Sequence, residues 1–390
     1  MHIGHFSNTY TPTISGVVRQ IRALCRTHLD LGHQVSIYTQ NARGYFKLEP
    51  NVYRYPTFPI SMPMEYPVIF PYSIGANRRL RTKCPDIIHV HHPFMLGRVG
   101  VTKARELGLP VVFTFHTQYW EHSHFFPVGL GQVQEWIKLA TYRKLRHFLE
   151  GCDAIIVYTD TMRNLLVEKL GYQDRIQVVP SGIDLEPFQT AKKNGIREGL
   201  GWRDKQVMIA VGRLSAEKNW LILMDAVRRV IQTHPEFRLM LIGDGPQRAA
   251  LEKYMLERGI SQQVAFLGWI DLDEIPSFLK EADFFGFASN TETIGRATME
   301  AMAAGLPIVA VNAPGTRDLV TYGCNGLLTG NDGASLASGI RTLLDNRELR
   351  LKFGMAAQET AKNFDVRIEA GKILDVYYNT IEYHRGTKNK

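Results

Sequence analysis

The feature that most constrains the fold is a regular alternation of short apolar runs with longer amphipathic stretches. Residues 207–211 (VMIAV) and 307–311 (PIVAV) are apolar throughout, which is typical of strands in a parallel sheet covered on both faces. Strand and helix patterns alternate in this way through both parts of the chain. The sequence therefore predicts two doubly wound, Rossmann-like α/β domains. A length of 390 residues agrees with two cores rather than one.

The predicted elements follow from this pattern. Strands are predicted in the first part at 2–7, 34–39, 86–91, 111–116, 154–158 and 176–180, and helices at 16–31, 96–107, 132–150 and 161–170. Strands are predicted in the second part at 207–212, 238–243, 264–268, 284–288 and 308–311, and helices at 217–232, 246–258, 273–281, 293–304 and 334–345. Residues 184–205 are polar, contain several glycines and have no strand-like run, so they mark the boundary.

This boundary predicts domains at 1–185 and 186–364. An amphipathic stretch at about 365–385 follows the second domain, and we expect it to return as a helix that packs on the first. Two α/β domains of this kind are expected to face each other across a cleft. That cleft would gather the carboxyl ends of both sets of strands, where ligands bind in such folds.

The charge of the chain is unevenly distributed. The net charge is +8, but residues 1–185 hold 20 basic and 13 acidic side chains, whereas residues 186–390 hold 26 and 25. Eleven of the 13 histidines also lie in the first part. A basic excess of this size is compatible with an anionic partner and does not select one.

Several protein classes are excluded by composition. The first 18 residues lack both a basic start and an apolar centre, so they are not a signal peptide. The longest other uncharged stretch, 301–316, is interrupted by Gly305, Pro307 and Pro314, so no transmembrane segment is predicted. Four widely spaced cysteines predict reduced thiols in a cytoplasmic protein, without a disulfide framework or a zinc site.

The most informative segment is 289–307, SNTETIGRATMEAMAAGLP. Here a strand is predicted to lead into the helix at 293–304, with Thr291 or Thr293 as its cap. Gly295 would allow a ligand to approach the backbone closely. The N–H groups of the first helical turn would then meet an anion or sugar hydroxyls.

Two acidic residues of this segment, Glu292 and Glu300, are eight positions apart. On a helix they would be separated by about 12 Å along the axis and about 80° around it, so both could face one elongated ligand. The alternative is one capping acid and one surface acid. Glu300 is surrounded in sequence by alanine and methionine, where an unpaired carboxylate is costly, and this favours a functional role.

Two cations, Arg213 and Lys218, stand near another predicted strand end. A nucleoside-diphosphate leaving group develops negative charge in the transition state. Arginine offers phosphate oxygens a planar fork and lysine a point charge, and two such cations can take the place of a divalent metal. The alternative is an ordinary surface arginine and lysine.

Taken together, the motifs resemble those of the family-4 retaining glycosyltransferases with the GT-B fold, over almost the whole chain. They are, in order, FSNTYTPTISGVV (6–18), VVPSGID (178–184), VGRL (211–214) with Lys218, IGDGP (242–246), FLG (266–268) and SNTETIGxxxxEAMAAGLPIVA (289–310). Each motif is weak alone, whereas their order and spacing are specific. The chain departs from the family at Asn219, where glycine is usual, and at Ile294, where phenylalanine is usual.

The resemblance implies roles for individual residues. Glu300 would hold the ribose hydroxyls and Glu292 the donor sugar, while Gly16 would let the first helix approach the diphosphate. The implied donor-binding residues are Gly16, Arg213, Lys218, Gly268, Trp269, Ile270, Glu292, Thr293, Ile294, Gly295 and Glu300. The implied catalytic residues are His116, Arg213, Lys218 and Glu292. No cofactor is implied besides the nucleotide-sugar substrate.

His116 ends a predicted strand, at the point where the family has a histidine beside the transferred sugar. The alternative is a strand-end histidine bonded to the backbone. His89, His91 and His92 resemble a metal cluster, but no further ligand is evident and no metal is expected.

The residues Asp271 and Asp273 resemble the metal-binding DxD of a different glycosyltransferase fold. Asp273 is better explained as a helix cap.

Two basic clusters in the first domain are candidates for the acceptor side or for a membrane surface. They consist of Arg78, Arg79, Arg81 and Lys83, and of Lys138, Arg143, Lys144 and Arg146. Interfacial helices attract anionic lipids with such clusters. The neighbouring aromatic residues that could contact acyl chains are Tyr119, Trp120, Phe125, Phe126 and Trp136. The alternative is a solvated helix face above core aromatics.

The sequence thus predicts a retaining glycosyltransferase that transfers a hexose from a nucleoside-diphosphate sugar to the hydroxyl of a membrane lipid such as diacylglycerol. We expect the donor to be a UDP-sugar. Members that resemble the first domain include bacterial diacylglycerol glycosyltransferases and the sulfoquinovosyl and phosphatidylinositol sugar transferases. We expect a cytoplasmic protein peripheral to the inner face of the membrane, with no nucleic-acid partner. One alternative uses the same donor with a soluble sugar, sugar phosphate or polysaccharide acceptor. A second alternative is a nicotinamide-dependent oxidoreductase, but this sequence lacks the glycine motif of such enzymes. A third is a protein that binds sugar nucleotides without catalysis.

Overall fold

The computed structural model describes residues 1–13, 15–42, 44–45, 49–61, 67–120 and 131–388. Within them the chain divides into two compact units. The first comprises Met1–Gly182 and Val366–Lys390, and the second comprises Ile183–Asp365. An α/β alternation runs through each unit, and the prediction of two Rossmann-like doubly wound domains is confirmed.

The first unit is built on a parallel sheet of seven strands. Its elements are β1 (His2–Phe6), α1 (Gly16–Asp30), β2 (Gln34–Gln40), β3 (Val52–Tyr55), β4 (Thr57–Ser61), β5 (Pro67–Ile69), α2 (Ile74–Thr82), β6 (Ile87–Val90), α3 (Leu96–Leu107), β7 (Val111–Thr114), α4 (Gly131–Glu150), β8 (Ala154–Val157), α5 (Asp160–Leu170) and β9 (Ile176–Val178). The strand order is β3-β2-β1-β6-β7-β8-β9, and β4 and β5 form a separate antiparallel pair. The order therefore reverses between β1 and β6.

The second unit is built on a parallel sheet of six strands. Its elements are α6 (Glu186–Thr190), α7 (Ile196–Gly199), β10 (Gln206–Val211), α8 (Trp220–Ile231), β11 (Phe237–Ile242), α9 (Arg248–Glu257), β12 (Val264–Gly268), α10 (Ile275–Leu279), β13 (Phe284–Phe287), α11 (Arg296–Ala303), β14 (Ile308–Val311), β15 (Gly326–Thr329), α12 (Gly333–Asp345) and α13 (Arg347–Ala361). The strand order is β12-β11-β10-β13-β14-β15, which reverses between β10 and β13.

A long helix, α14 (Val366–Lys388), follows the second unit in sequence and belongs to the first. It buries one face against the sheet of the first unit and packs beside α1. The residues that form this core are Ile3, Leu24, Ile87, Val112, Ala154, Ile156, Val179, Ala370, Ile373, Leu374, Val376 and Tyr377. The central strands are covered on both faces, which explains why they are apolar at successive positions.

The structure differs from the predicted elements at some positions. Helices α2 and α13 and strands β3 and β15 lie in stretches where the sequence pattern predicted no element. The helix predicted at 293–304 begins only at Arg296, because Gly295 has a left-handed backbone (φ 70°) that a continuous right-handed helix cannot contain. Among the described residues, no helix is both long and apolar enough to cross a membrane.

Candidate active site

The second unit brings two of the predicted cations to the point where its strand order reverses. Arg213 and Lys218 follow β10, and Glu292 follows β13, the strand beside it. In open parallel sheets, ligands bind outside the carboxyl ends of the strands at such a reversal. The fold thus places three predicted donor residues where a ligand site is expected.

Lys218 and Glu292 form an ion pair. Lys218 Nζ lies 2.5 Å from Glu292 Oε1, with side-chain exposures of 24% and 14%. A second link joins the same two loops, since Thr291 Oγ1 donates to the Glu217 carbonyl at 3.2 Å. The loops after β10 and β13 are therefore tied together by charge and by a hydrogen bond.

Asn219 explains how the chain tolerates its departure from the family's glycine. Its backbone is left-handed (φ 60°), a conformation that asparagine adopts more readily than most residues. Its side-chain amide donates to the Ala288 carbonyl at 3.3 Å and to Asn331 Oδ1 at 2.7 Å. The bonds to two neighbouring loops compensate for the lost freedom of glycine at the end of the Lys218 turn.

Arg213 lies two residues beyond β10 with an exposed side chain. Its carbonyl accepts a 2.8 Å hydrogen bond from the indole Nε1 of Trp220, which is buried at the start of α8. The backbone at Arg213 is thereby anchored, and the residue is exposed at the end of β10.

The helix in segment 289–307 begins later than predicted, at Arg296. Gly295 is the N-cap of α11 and no side chain caps the helix, so the prediction that Thr291 or Thr293 does so is wrong. Glu292 consequently lies in the loop before α11, and the two glutamates are not spaced along one helix. Thr293 and Ile294 are buried beside Gly295.

Glu300 is almost fully buried, at 2% exposure, on α11. It forms an ion pair with Arg296, whose Nε lies 3.4 Å from Glu300 Oε1, one helical turn away. Sequence reasoning missed Arg296, although its spacing of four from Glu300 was a usable signal. Each predicted glutamate is thus paired with its own cation.

Three buried hydroxyls of the second unit were also missed. Ser289, Thr298 and Thr316 each have a side-chain oxygen that finds no hydrogen-bond partner among the described residues. Buried polar groups are normally satisfied, so these oxygens are candidates to contact a bound polar ligand. Two of the three, Ser289 and Thr316, follow strands β13 and β14, which a rule based on strand ends could have identified.

The loop that contains Thr316 packs tightly on Glu292. Gly315 has a left-handed backbone (φ 78°), and a Cβ atom there would lie 2.7 Å from the Cβ of Glu292. Only glycine fits this position, so the loop after β14 helps to fix the backbone of Glu292.

The segment predicted to flank the base follows β12. Gly268 is left-handed (φ 71°) and its carbonyl accepts from the Gly243 amide at 2.8 Å. Trp269 is half exposed, and Ile270 is partly buried. Asp273 does not cap a helix, because α10 begins later with Glu274 at its N-cap position.

In the first unit, Gly16 is the first residue of α1, and Ser15 caps that helix by accepting from the Val18 amide at 3.2 Å. His116 lies two residues after β7 and is buried. Its Nε2 lies 2.9 Å from His91 Nδ1 and its Nδ1 lies 2.6 Å from the Tyr158 hydroxyl. Side chains therefore hold both ring nitrogens of His116.

His91 belongs to a buried histidine cluster that sequence reasoning assembled only in part. His5 on β1 lies beside His89 on β6, and ring nitrogens of His5, His89 and His91 lie within 4.8 Å of one another, a grouping that could hold a metal. His92 instead accepts from the Asn8 amide at 3.2 Å, so His5 replaces it in the cluster. Only the parallel register of β1 and β6, which the sequence pattern does not specify, brings His5 to the cluster.

The hydrogen bonds of the cluster account for its burial. His5 Nδ1 lies 2.9 Å from His91 Nε2, and both nitrogens of His89 are bonded, to Tyr377 at 2.6 Å and Thr114 at 2.7 Å. Burial lowers the pKa of His5 to about 3 and, with the neighbouring histidines, holds the pKa of His89 and His91 well below the usual range. The rings are thus neutral at ordinary pH.

The first basic cluster lies on α2 and at its C-cap, Lys83. All four residues are exposed: Arg78, Arg79, Arg81 and Lys83. Ala76 and Leu80 face the core instead. Large apolar side chains are also exposed just before α2 and at its first residue: Phe58, Phe70, Tyr72 and Ile74. Exposed cations and exposed apolar side chains are therefore close together in sequence here.

The second basic cluster lies on α4, where Arg143, Lys144 and Arg146 are exposed. Arg146 Nε forms an ion pair with Glu150 Oε1 at 3.3 Å. Trp136 and Leu139, earlier on the helix, are 76% and 53% exposed.

Other residues of the predicted acceptor region differ. Trp120 is buried against Phe115, so the prediction that it contacts acyl chains is wrong, and Tyr119 packs edge-on against Phe94 and Phe115. Phe125, Phe126 and the Lys138 side chain lie outside the described part of the chain.

Two family models match the two parts of the chain. Residues 14–187 match Glycosyltransferase Family 4, and residues 192–360 match Glycosyl transferases group 1. The chain is 28% identical over 401 residues to the alpha-monoglucosyldiacylglycerol synthase of Acholeplasma laidlawii, over the full length of both proteins. It is 31% identical over 331 residues to the synthase of the same name from Streptococcus pneumoniae, covering 82% of this chain and 73% of that protein.

Solved structures agree on the fold. HepE from Anabaena, in complex with UDP and glucose, has a TM-score of 0.77 at 22% identity and covers 97% of this chain and 100% of its own. Sucrose-phosphate synthase from Thermosynechococcus elongatus has a TM-score of 0.80 at 19% identity, covering 98% and 99%.

Proposed function

This chain belongs to the family-4 glycosyltransferases, and on that premise we propose that it transfers a hexose from a UDP-sugar to the hydroxyl of a membrane lipid such as diacylglycerol. Two synthases of monoglucosyldiacylglycerol are among its relatives, and HepE was solved with UDP and glucose. The product would be a glycolipid.

The observation that carries the donor assignment is the pairing of Lys218 with Glu292 at the reversal of the second sheet. A diphosphate brings two phosphates that compete for Lys218, and Arg213 is exposed nearby in sequence to share them. Once phosphate engages Lys218, Glu292 becomes available to accept hydrogen bonds from the hydroxyls of the donor sugar.

Glu300 is suited to hold the ribose hydroxyls. Its buried carboxylate is an acceptor held in place on a rigid helix, and Arg296 balances its charge. The main chain at 268–270 would flank the base, and the backbone at 293–295 and at Gly16 would face the diphosphate and sugar.

Transfer would retain the configuration of the sugar. The acceptor oxygen attacks the anomeric carbon on the face from which the diphosphate leaves, so the new C–O bond forms as the old C–O bond breaks. The acceptor proton passes to the departing phosphate oxygen. In this scheme Arg213 and Lys218 stabilise the charge that develops on the diphosphate, and His116 contacts the transferred sugar.

Charge and exposed apolar residues support the proposal that the first unit binds the acceptor. This unit holds 25 basic and 15 acidic side chains, whereas the second unit holds 21 and 23. Trp136 and Leu139 precede Arg143 on α4 by seven and four residues, so they share its exposed stripe. A helix with apolar and cationic groups on one exposed face fits the interface of an anionic bilayer. We propose that the protein acts at the cytoplasmic face of such a membrane.

Two assays test the proposal. Thermal shift with a panel of nucleotide sugars should identify the donor, because a ligand that binds only the folded state raises Tm. Turnover of that donor with vesicles containing diacylglycerol should then yield a lipid-soluble labelled product. Turnover only with soluble sugars or sugar phosphates would instead support the alternative acceptor class.

A further inference from the structure

His116, in the first unit, lies within a chain of buried hydrogen bonds. Starting at the sheet, the chain joins His5 to His91 at 2.9 Å and His91 to His116 at 2.9 Å. It continues from His116 to Tyr158 at 2.6 Å. All six residues that the chain joins have exposures of 9% or less. They are His5, His91, His116, Tyr158, Gln20 and Glu369.

The other end of the chain is a carboxylate on α14. Tyr158 donates to Gln20 Oε1 at 2.6 Å, and Gln20 Nε2 donates to Glu369 Oε1. The second oxygen of Glu369 accepts from the Gly182 amide at 2.8 Å. Glu369 is thus held by donors from two other parts of the first unit.

The carboxylate of Glu369 determines which group donates in each of the other hydrogen bonds of the chain. An ionised carboxylate only accepts, so Gln20 must turn its NH₂ towards Glu369 and its oxygen towards Tyr158. The single hydroxyl proton of Tyr158 then points to Gln20, and the oxygen of Tyr158 must accept from His116 Nδ1–H.

The direction of the Tyr158 hydrogen bond also determines the tautomers of the histidines. A neutral His116 with its proton on Nδ1 has an accepting Nε2, which receives the Nδ1 proton of His91. His91 in turn accepts at Nε2 from His5 Nδ1–H. The chain ends at His5 Nε2, which is buried and has no partner among the described residues, and a lone pair there costs less than an unpartnered N–H would.

We propose that Glu369, acting through Gln20 and Tyr158, is a positioning residue that fixes the tautomer and orientation of His116. Its role in turnover rests on the proposed function of His116, whereas the tautomer itself does not. The ring is held at both nitrogens and serves as a rigid contact for the sugar. A carboxylate that fixes an imidazole tautomer is an established device for making a histidine catalytically competent.

Glu369→Gln tests the proposal because it keeps the shape and removes one acceptor. Gly182 still donates, so the carboxamide oxygen at position 369 faces Gly182 and its NH₂ faces Gln20. Gln20 must then turn over, Tyr158 must donate to His116 Nδ1, and the proton of His116 must move to Nε2. The exposed Glu382→Gln on the same helix is the matched control.

The measurement is long-range ¹H–¹⁵N NMR of protein labelled at histidine, with the His116 signals assigned by their loss in His116→Gln. We expect the Nδ1–H tautomer in the natural protein and in Glu382→Gln, and the Nε2–H tautomer in Glu369→Gln. The proposal is overturned if the natural protein has the Nε2–H tautomer or if Glu369→Gln leaves the tautomer unchanged. If Glu369→Gln does not fold, Tyr158→Phe replaces it. That variant should release His116 from a single tautomer, and retention of a single Nδ1–H tautomer would contradict the proposal.

Kinetics with the donor found by thermal shift and diacylglycerol vesicles complete the test. Glu369→Gln should lower kcat by about tenfold, with a smaller change in KM. Loss of a residue that orients a functional histidine has an effect of this size. A reversed tautomer with an unchanged kcat would overturn the positioning role. A natural rate in His116→Ala would instead overturn the assigned function of His116, whatever the tautomer shows.

Discussion

Lys218 Nζ lies 2.5 Å from Glu292 Oε1, although the two residues are 74 positions apart and follow different strands. The pair neutralises two groups for which we propose separate roles, one on the diphosphate and one on the sugar. Binding of the donor would therefore exchange an internal ion pair for contacts of each residue with the ligand. The following predictions test this arrangement and its surroundings.

Lys218→Ala and Arg213→Ala should each lower kcat by roughly 10²- to 10³-fold, because each removes a cation that stabilises developing negative charge. Steady-state turnover of the donor measures the effect. Lys253→Ala, which removes an exposed lysine of the same unit, is the control and should leave kcat unchanged. Near-natural rates in both site variants would refute the diphosphate assignment.

Glu300→Gln should weaken nucleotide binding by roughly 10- to 100-fold, since the hydrogen bonds of a charged acceptor are worth about 1.5–3 kcal/mol. Calorimetric titration with UDP measures this directly. The variant also leaves Arg296 without its carboxylate partner, so a parallel Arg296→Gln shows how much of the effect arises from lost charge balance. Equal UDP affinity in the natural protein and Glu300→Gln would mean that Glu300 is structural.

Acid should destabilise the first unit through its buried histidines. Burial lowers the pKa of His5 to about 3 and of His28 and His92 to about 4, whereas each titrates near 6.5 when unfolded. Below pH 6.5 the unfolded chain binds protons that the folded chain does not, so stability falls as pH falls from 6.5 towards 4. Each histidine contributes a slope of up to about 1.4 kcal/mol per pH unit.

Urea unfolding between pH 7.5 and 5 measures this slope. His28→Gln removes one of these groups and should flatten the dependence by up to one proton. A midpoint that does not change between pH 7.5 and 5 would show that the histidines are not buried in neutral form.

Trp136→Ser should reduce sedimentation with anionic vesicles at least several-fold, because the side chain is 76% exposed and an inserted tryptophan contributes apolar area at the interface. Arg143→Glu should reduce it further and make the remaining binding less sensitive to salt. The control is Leu256→Ser, which removes an equally prominent apolar group from the second unit. Equal losses in Trp136→Ser and Leu256→Ser would argue against a surface specific to α4.

Asn219→Ala should lower the free energy of unfolding by about 1–2 kcal/mol, since alanine pays this cost in the left-handed conformation. Asn219→Gly should restore the backbone freedom while losing the side-chain bonds to Ala288 and Asn331. Chemical denaturation separates the two effects. A more stable alanine variant would contradict the left-handed turn.

Much of the fold could be predicted because it depends on local patterns. Apolar runs located the central strands, and strand ends located Arg213 and Lys218 at the edge where ligands bind. The start of α11 was misplaced because Gly295 can continue or interrupt a helix, and its backbone is decided by packing around it. As a result, the prediction that Glu292 and Glu300 lie on one helix was wrong.

The histidine chain could not be predicted because it depends on contacts between distant segments. His5 meets His91 only through the register of two strands 86 residues apart in sequence. Gln20 meets Glu369 across 349 residues, after the chain has passed through the whole second unit. Sequence patterns identify such residues individually and do not pair them.

The position of α14 in the chain has a consequence for synthesis on the ribosome. The second unit is one uninterrupted segment, Ile183–Asp365, so it can finish folding as soon as it emerges. The first unit emerges earlier but lacks Ala370, Ile373 and Tyr377 until α14 has been translated. A chain that lacks the residues from 366 onwards would therefore miss part of the first unit's core and keep the whole of the second unit. The unit that begins translation first would then be the one that matures last.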